Sequence, residues 1–181
     1  AEDLFSDKNL ENAVRRQVFS KRNSKEPLTA EDVRSVSSVK VKAKEIINLK
    51  GLEACKALAS LELPDNEIED LSPLADLERL QLLDLSGNRI RNIGPVETLK
   101  ELQYLNLENN QVEDIAPVAG LANMRSLYLT GNRIRDAKPV AKLTKLWSLY
   151  LGQNQIEDLT SIKNLTGIAN LGLERNKVRD L

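Results

Sequence analysis

The chain has 181 residues, no histidine, one cysteine, and 26 basic against 27 acidic side chains, for a net charge of −1. That near balance excludes the basic excess of a dedicated nucleic-acid binder, and no apolar run approaches the roughly 18–20 residues of a membrane span. A lone cysteine excludes an intrachain disulfide framework and leaves the redox compartment open.

Residues 1–35 do not repeat and read as a helical cap. From Asp7 as N-cap, Leu10, Val14 and Val18 recur at i, i+4 and i+8 with Ala13 beside them, which predicts an amphipathic helix. The polar run SKRNSKEP breaks it. Thr29 then opens TAEDV, a capping-type sequence with Asp32 in the place of the usual Glu or Gln, which predicts a second short helix leading into the first strand. Val14 and Val18 are expected to pack over Val39 and Val41. Arg15, Arg16, Lys21, Arg22 and Lys25 form a local basic stretch that reads as a solvated face, with an acidic partner or a membrane surface as the other reading.

From residue 36 the chain repeats every 22 residues, in six full copies from 36, 58, 80, 102, 124 and 146 and a partial copy from 168 to 181. One copy, LASLELPDNEIEDLSPLADLER, follows L-x-x-L-x-L-x-x-N-x-I-x-D-L-x-P-L, the leucine-rich repeat pattern. The fold class expected is α/β: a leucine-rich repeat solenoid, with a parallel sheet on its concave face and short 3₁₀ or helical turns on its convex face.

Each place in a copy, counted from its first residue, then has a physical reading. Places 4 and 6 are aliphatic throughout and alternate with 3, 5 and 7, the period of a strand, so 4 and 6 face the core and the others point outward. At place 9, Asn66, Asn88, Asn110, Asn132, Asn154 and Asn176 carry amides that donate and accept where the chain turns from the sheet; Lys44 stands there in the first copy. Place 13 holds Asn48, Asp70, Asn92, Asp114, Asp136, Asp158 and Asp180, ahead of Pro73, Pro95, Pro117 and Pro139. That arrangement matches turn capping better than calcium binding, since no glycine-rich calcium loop accompanies it. Aliphatics at places 11, 14, 17 and 20 line the core from the convex side. Cys55 takes place 20 of the first copy and reads as a small buried apolar residue.

The outward strand places carry the candidate partner-binding residues. Lys40 and Lys42 stand at one end, Glu62, Asp84 and Glu108 follow with Leu82 and Asn106 between, and an aromatic group of Tyr104, Tyr128, Trp147 and Tyr150 closes the row. Tyr128 and Tyr150, both at place 5 of neighbouring copies, are expected to stack. Trp147 is at place 2. Ser126, Ser148 and Gly152 are expected to leave room around the rings. Exposed aromatics of this kind anchor protein interfaces. For catalysis the chain offers no histidine, no nucleophile with a base at motif spacing and no phosphate loop, and no zinc pattern either; the expectation is a non-enzymatic protein without catalytic residues, metal or cofactor.

At the far end, Leu171, Leu173, Val178 and Leu181 are expected to form an apolar edge beside an unpaired strand. Two explanations compete: further sequence beyond Leu181, or self-association through that edge.

The 22-residue unit with I-x-D-L-x-P-L resembles the bacterial internalins, and also the eukaryotic phosphatase-regulating leucine-rich proteins of the same repeat length. The string LFSDKNLENAVRRQV, with Phe5, Asp7 and Leu10, looks like the internalin helical cap, and PLTAEDVRSV looks like its second part. This resemblance spans essentially the whole chain. It implies an exported or surface-displayed bacterial protein whose concave face binds another protein, in well-known members a host receptor. The charge balance and the lack of a long apolar run give the expectation of no nucleic-acid partner and no membrane insertion. The alternative is an intracellular regulatory or scaffolding subunit that docks on an enzyme such as a phosphatase, and a third reading is a protein whose units assemble end to end. Because the sequence opens at Ala1 and its only methionine is Met124, the lack of a leader says nothing about export.

Overall fold

Seven strands form one parallel sheet in sequence order: β1 (Ser38–Lys40), β2 (Ser60–Glu62), β3 (Leu82–Asp84), β4 (Tyr104–Asn106), β5 (Ser126–Tyr128), β6 (Ser148–Tyr150) and β7 (Asn170–Gly172). The computed structural model describes residues 3–179. Every strand pairs with the next at an offset of 22, as in Leu61 with Leu83 and Leu105 with Leu127. Only places 3 to 5 are regular strand, but ladder bonds run further: Leu63 N donates to Asp84 O at 2.8 Å and Asp65 N to Ser86 O at 2.8 Å. The place-4 residues Val39, Leu61, Leu83, Leu105, Leu127 and Leu149 are fully buried, as the alternation requires.

After the strand the chain must turn sharply, and it does so through a left-handed residue at place 8 of every copy: Ala43, Asp65, Gly87, Asn109, Gly131, Gln153 and Arg175, with φ between 51° and 73°. Glycine and asparagine suit that region; alanine, glutamine and arginine do not, and occupy it because the turn is fixed on both sides. One fixing group is the place-9 asparagine. Asn110 Oδ1 accepts Ile90 N at 2.9 Å, while its Nδ2 donates to Leu85 O at 3.0 Å and Leu107 O at 3.1 Å. Asn88, Asn132 and Asn154 repeat the pattern, so each amide ties its own copy to the one before. In the first joint, where Lys44 replaces asparagine, Asn66 Oδ1 accepts from both Lys44 N and Ile46 N. These are turn amides, satisfied internally and largely buried.

On the convex side each copy makes one short 3₁₀ turn, at Leu52–Ala54, Ser72–Leu74, Gly94–Thr98, Ala116–Val118, Lys138–Lys142 and Thr160–Ile162. The place-13 side chain caps it: Asp70 Oδ1 accepts Ser72 N, Asn92 Oδ1 accepts Gly94 N and Asp114 Oδ1 accepts Ala116 N, each at 2.8 Å. Asp136 and Asp158 cap in the same way. Asp180 lies outside the described residues. Cys55 is fully buried, and burial pushes its thiol up to about 12, which keeps it protonated.

The sixth copy breaks the pattern at place 16. There Ser161 replaces the proline of four earlier copies, and its hydroxyl is buried without a hydrogen-bond partner. Ser161→Pro should therefore raise stability by about 1 kcal/mol, by removing an unsatisfied polar atom and restricting the unfolded chain. A urea midpoint at or below that of the wild type would show this reasoning wrong.

Two helices precede the sheet. Helix α1 spans Lys8–Arg15 with Asp7 as N-cap, and α2 spans Ala30–Val33 with the Thr29–Asp32 capping box complete. The first helix is shorter than the i, i+4, i+8 pattern suggested. Val18 lies beyond it in a run of three-residue turns, Gln17 N bonding Val14 O and Val18 N bonding Arg15 O. The tighter turns reverse the chain while Val18 stays buried, and the Arg15 guanidinium, donating to Lys21 O and Ser24 O, holds the reversal. Arg15 also pairs with Glu11, and Lys21 pairs with Glu26, so two of the five cations in the basic stretch are neutralised locally.

Asp7 bridges cap and solenoid. Its Oδ1 accepts Asn9 N and Leu10 N, while its Oδ2 accepts Ile47 N at 2.8 Å and Asn48 N at 3.3 Å in the first copy. Phe5, also buried, fits against Gly51, where a Cβ would lie 2.5 Å from the ring; Gly51 further needs its φ of +107°. Val14, Val18 and Val39 join the continuous core, with Val41 only partly buried. At the other end, Leu171 is 49 % exposed, Leu173 and Val178 are half-buried, and Leu181 lies outside the described residues.

Candidate protein-binding face

Outward side chains of the sheet lie in rows, because the register is constant and each strand presents places 3 and 5 to the same side. The structure gathers the tyrosines into one stack. The rings of Tyr128 and Tyr150 lie 5.1 Å apart and 6° from parallel, and Tyr104 joins at 5.3 Å from Tyr128, tilted by 41°. Tyr104 sits at place 3, paired across the ladder with Ser126, so it reaches Tyr128 diagonally. Such offset pairs add about 0.5–1.5 kcal/mol beyond burial, which fixes the rings before any partner arrives.

The row continues past the tyrosines onto a residue that sequence reasoning passed over. Gly172 is the ladder partner of Tyr150, and a Cβ there would lie 2.6 Å from the Tyr150 ring. A glycine where each earlier copy has a side chain marks a close approach. The room expected at Gly152 is absent, since the Glu174 carboxylate lies against it, and Ser148 is buried with its hydroxyl accepting from Asn170 Nδ2. Asn106, expected on the open face, is buried instead, and its Oδ1 accepts Glu108 N. Burial, with the fields of Asp84 and Glu108 as lesser contributors, raises the Tyr104 pKa, so its hydroxyl stays protonated.

The charged end differs from a simple sequence of basic, then acidic zones. Lys40 pairs with its ladder neighbour Glu62 at 2.7 Å, and Lys42 pairs with Asp65 at 3.1 Å. Both lysines remain exposed, but their charge is matched within the face. Asp84 Oδ1 accepts from Ser86 N and Oγ, and Leu82 beside it is half-buried. Trp147 is 62 % exposed and stands outside the tyrosine stack, beside Arg125, Ser126 and Lys145. Among the described residues no group of His, Cys, Asp and Glu is placed to hold a metal ion, and no helix is long and apolar enough to cross a membrane.

Strand, asparagine turn and convex 3₁₀ turn at a constant 22-residue step define a leucine-rich repeat solenoid. The model for Leucine Rich repeats (2 copies) matches residues 78–122 and 122–170, and the chain belongs to that family. More narrowly, it is an internalin-like leucine-rich repeat protein. An internalin (inlF) from Listeria monocytogenes is 29 % identical with a TM-score of 0.80, over 98 % of this chain and 59 % of the internalin. The chain thus spans under two-thirds of that relative. Internalin C2 of the same species is 28 % identical with a TM-score of 0.58, over 96 % of this chain and all of the other. A Leptospira interrogans leucine-rich repeat protein, 24 % identical with a TM-score of 0.71 over 82 % of this chain and 40 % of its own, shares the fold. No curated protein matches the chain. Leucine-rich repeat folds commonly serve as protein–protein interaction modules.

Proposed function

We propose that this chain is a non-enzymatic recognition module that binds one protein partner through its concave sheet, and that a bacterium exports it or displays it on its surface. The observation that carries this reading is the stacked row of Tyr104, Tyr128 and Tyr150 on an outward face. Three rings held by one another present a rigid, amphipathic surface whose ordering cost is already met, and tyrosine is among the residues that dominate interface energetics. Asp84 and Glu108 flank it and would set the partner's orientation and encounter rate. The likeness to Listeria internalins supports the placement outside the cell; a precursor gene encoding a secretory leader would test it.

The binding test uses a partner captured by the wild-type chain. Tyr128→Ala with Tyr150→Ala should weaken that partner by at least a hundredfold, since central aromatic truncations cost about 2 kcal/mol or more each. Glu97→Ala, on the convex 3₁₀ turn, should leave affinity unchanged. Wild-type affinity in a folded double variant would refute the concave-face reading.

A further inference from the structure

Trp147 is the chain's only tryptophan and, among the described residues, the most exposed large hydrophobic side chain of the repeats. It occupies place 2, at the rim where each strand begins, and its backbone N–H donates to Arg125 O at 2.8 Å. Arg125 is its counterpart one copy earlier, and Lys145, the last residue of that same copy, lies beside both. Together with Ser126 they line a shallow depression of 400 Å³. Lys145 Nζ is steadied by Asn123 Oδ1 at 2.8 Å.

What separates this rim from the rest of the repeats is an exposed indole set beside two exposed cations. Lys40, Lys42, Arg89 and Arg133 each lie within 4 Å of a carboxylate. Among the described residues Arg125 and Lys145 have no such carboxylate, a state they share with exposed cations such as Arg91, Lys100 and Arg135, but they alone hold it beside an exposed tryptophan. Place 2 is otherwise Ser37, Ala59, Gln81, Gln103 and Ala169, so arginine and tryptophan arise only in the copies that also carry Tyr128 and Tyr150. Two unmatched cations around an exposed indole define complementary chemistry: carboxylates for the cations, with an apolar side chain between them to cover the ring.

We propose that the rim formed by Arg125, Lys145 and Trp147 docks an acidic, apolar-interleaved segment of the protein partner, as a second contact adjoining the tyrosine row. The proposal rests on the concave-face reading for its partner, but its chemistry is testable without that partner. Trp147 supplies the signal, because all tryptophan emission from this chain comes from the rim.

The probe is a 12-residue peptide of alternating glutamate and leucine, titrated against the full chain at low salt. The expected result is a saturable blue shift of tryptophan emission, lost at high salt. Arg125→Glu with Lys145→Glu should weaken the peptide tenfold or more, while Tyr128→Ala with Tyr150→Ala should leave it bound. Failure of the tyrosine variant in partner binding and failure of the rim variant in peptide binding are thus read separately. The proposal is overturned if the peptide gives no saturable shift, if a lysine–leucine peptide shifts the emission equally, or if the charge reversal has no effect. It is also overturned if a sulfated oligosaccharide saturates the shift where the peptide does not, since the rim would then serve a glycan.

Discussion

Asn110→Ala is expected to lower stability by about 2–4 kcal/mol: it strands the buried Ile90 N–H at the joint between the third and fourth copies, at about 1–3 kcal/mol, and takes one of two amide donors from each of Leu85 O and Leu107 O, which keep Asn88 and Asn132. Alanine fits the space and keeps the backbone, so the loss comes from unpaired polar groups rather than from a clash. Position decides the size. Asn176, at the last joint, is only half-buried, and water can reach its partners once the amide is gone; Asn176→Ala should cost far less. Urea denaturation compares the two variants, and amide hydrogen exchange at Ile90 reads the orphaned donor directly. An Asn110 variant within 1 kcal/mol of wild type would mean that the ladder is incidental to the fold.

Removal of residues 1–35 is expected to be more severe still. In a solenoid each copy rests on its neighbours, and a terminal layer without cover exposes apolar core. We propose that this segment is the structural cap of the first copy. Phe5, Leu10, Val14, Val18, Leu28 and Val33 are all buried in the core it shares with Val39 and Ile46. The shortened chain should aggregate or melt well below the intact one in a thermal scan with light scattering. Asp7→Ala separates clasp from cover. It leaves the apolar residues in place but removes four hydrogen bonds, two within α1 and two to Ile47 and Asn48. It should lower the melting temperature without aggregation, at a cost of about 2–4 kcal/mol. A soluble truncation that melts cooperatively at the wild-type temperature would remove the cap's structural role.

The solenoid was legible because its signals are periodic. Leucine at places 4 and 6, asparagine at place 9 and Asp or Asn at place 13 each recur, and each has one physical role. The left-handed turn at place 8 was not legible, since Ala43, Gln153 and Arg175 bear no turn chemistry; their conformation is imposed by the ladder on one side and the asparagine on the other. Helix α1 was overextended for a related reason. Burial of Val18 sets its spacing in sequence, but three-residue turns satisfy the same burial without a helix.

The face was legible in part. Equal places in adjacent copies predicted the Tyr128–Tyr150 stack. The diagonal reach of Tyr104, the burial of Asn106 and the close approach at Gly172 depend on side-chain direction, which periodicity does not encode. Likewise, Lys40 and Lys42 counted as a basic zone in sequence become half of two ion pairs once Glu62 and Asp65 are placed beside them.

The one-way tie of the asparagine amides has a genetic consequence. From the second joint onward each copy receives an amide from its successor and sends one to its predecessor at the same offsets of 20 and 25 residues. An in-frame duplication of residues 102–123 would therefore create a new joint identical in kind to those already present, with no seam to repair. The sheet would lengthen by one strand spacing, about 4.8 Å, and everything downstream would move outward by that step while keeping its own neighbours. Unequal crossing-over within such a gene is thus a source of intact proteins of graded reach, in which Tyr128, Tyr150 and Trp147 travel as a cassette away from the cap.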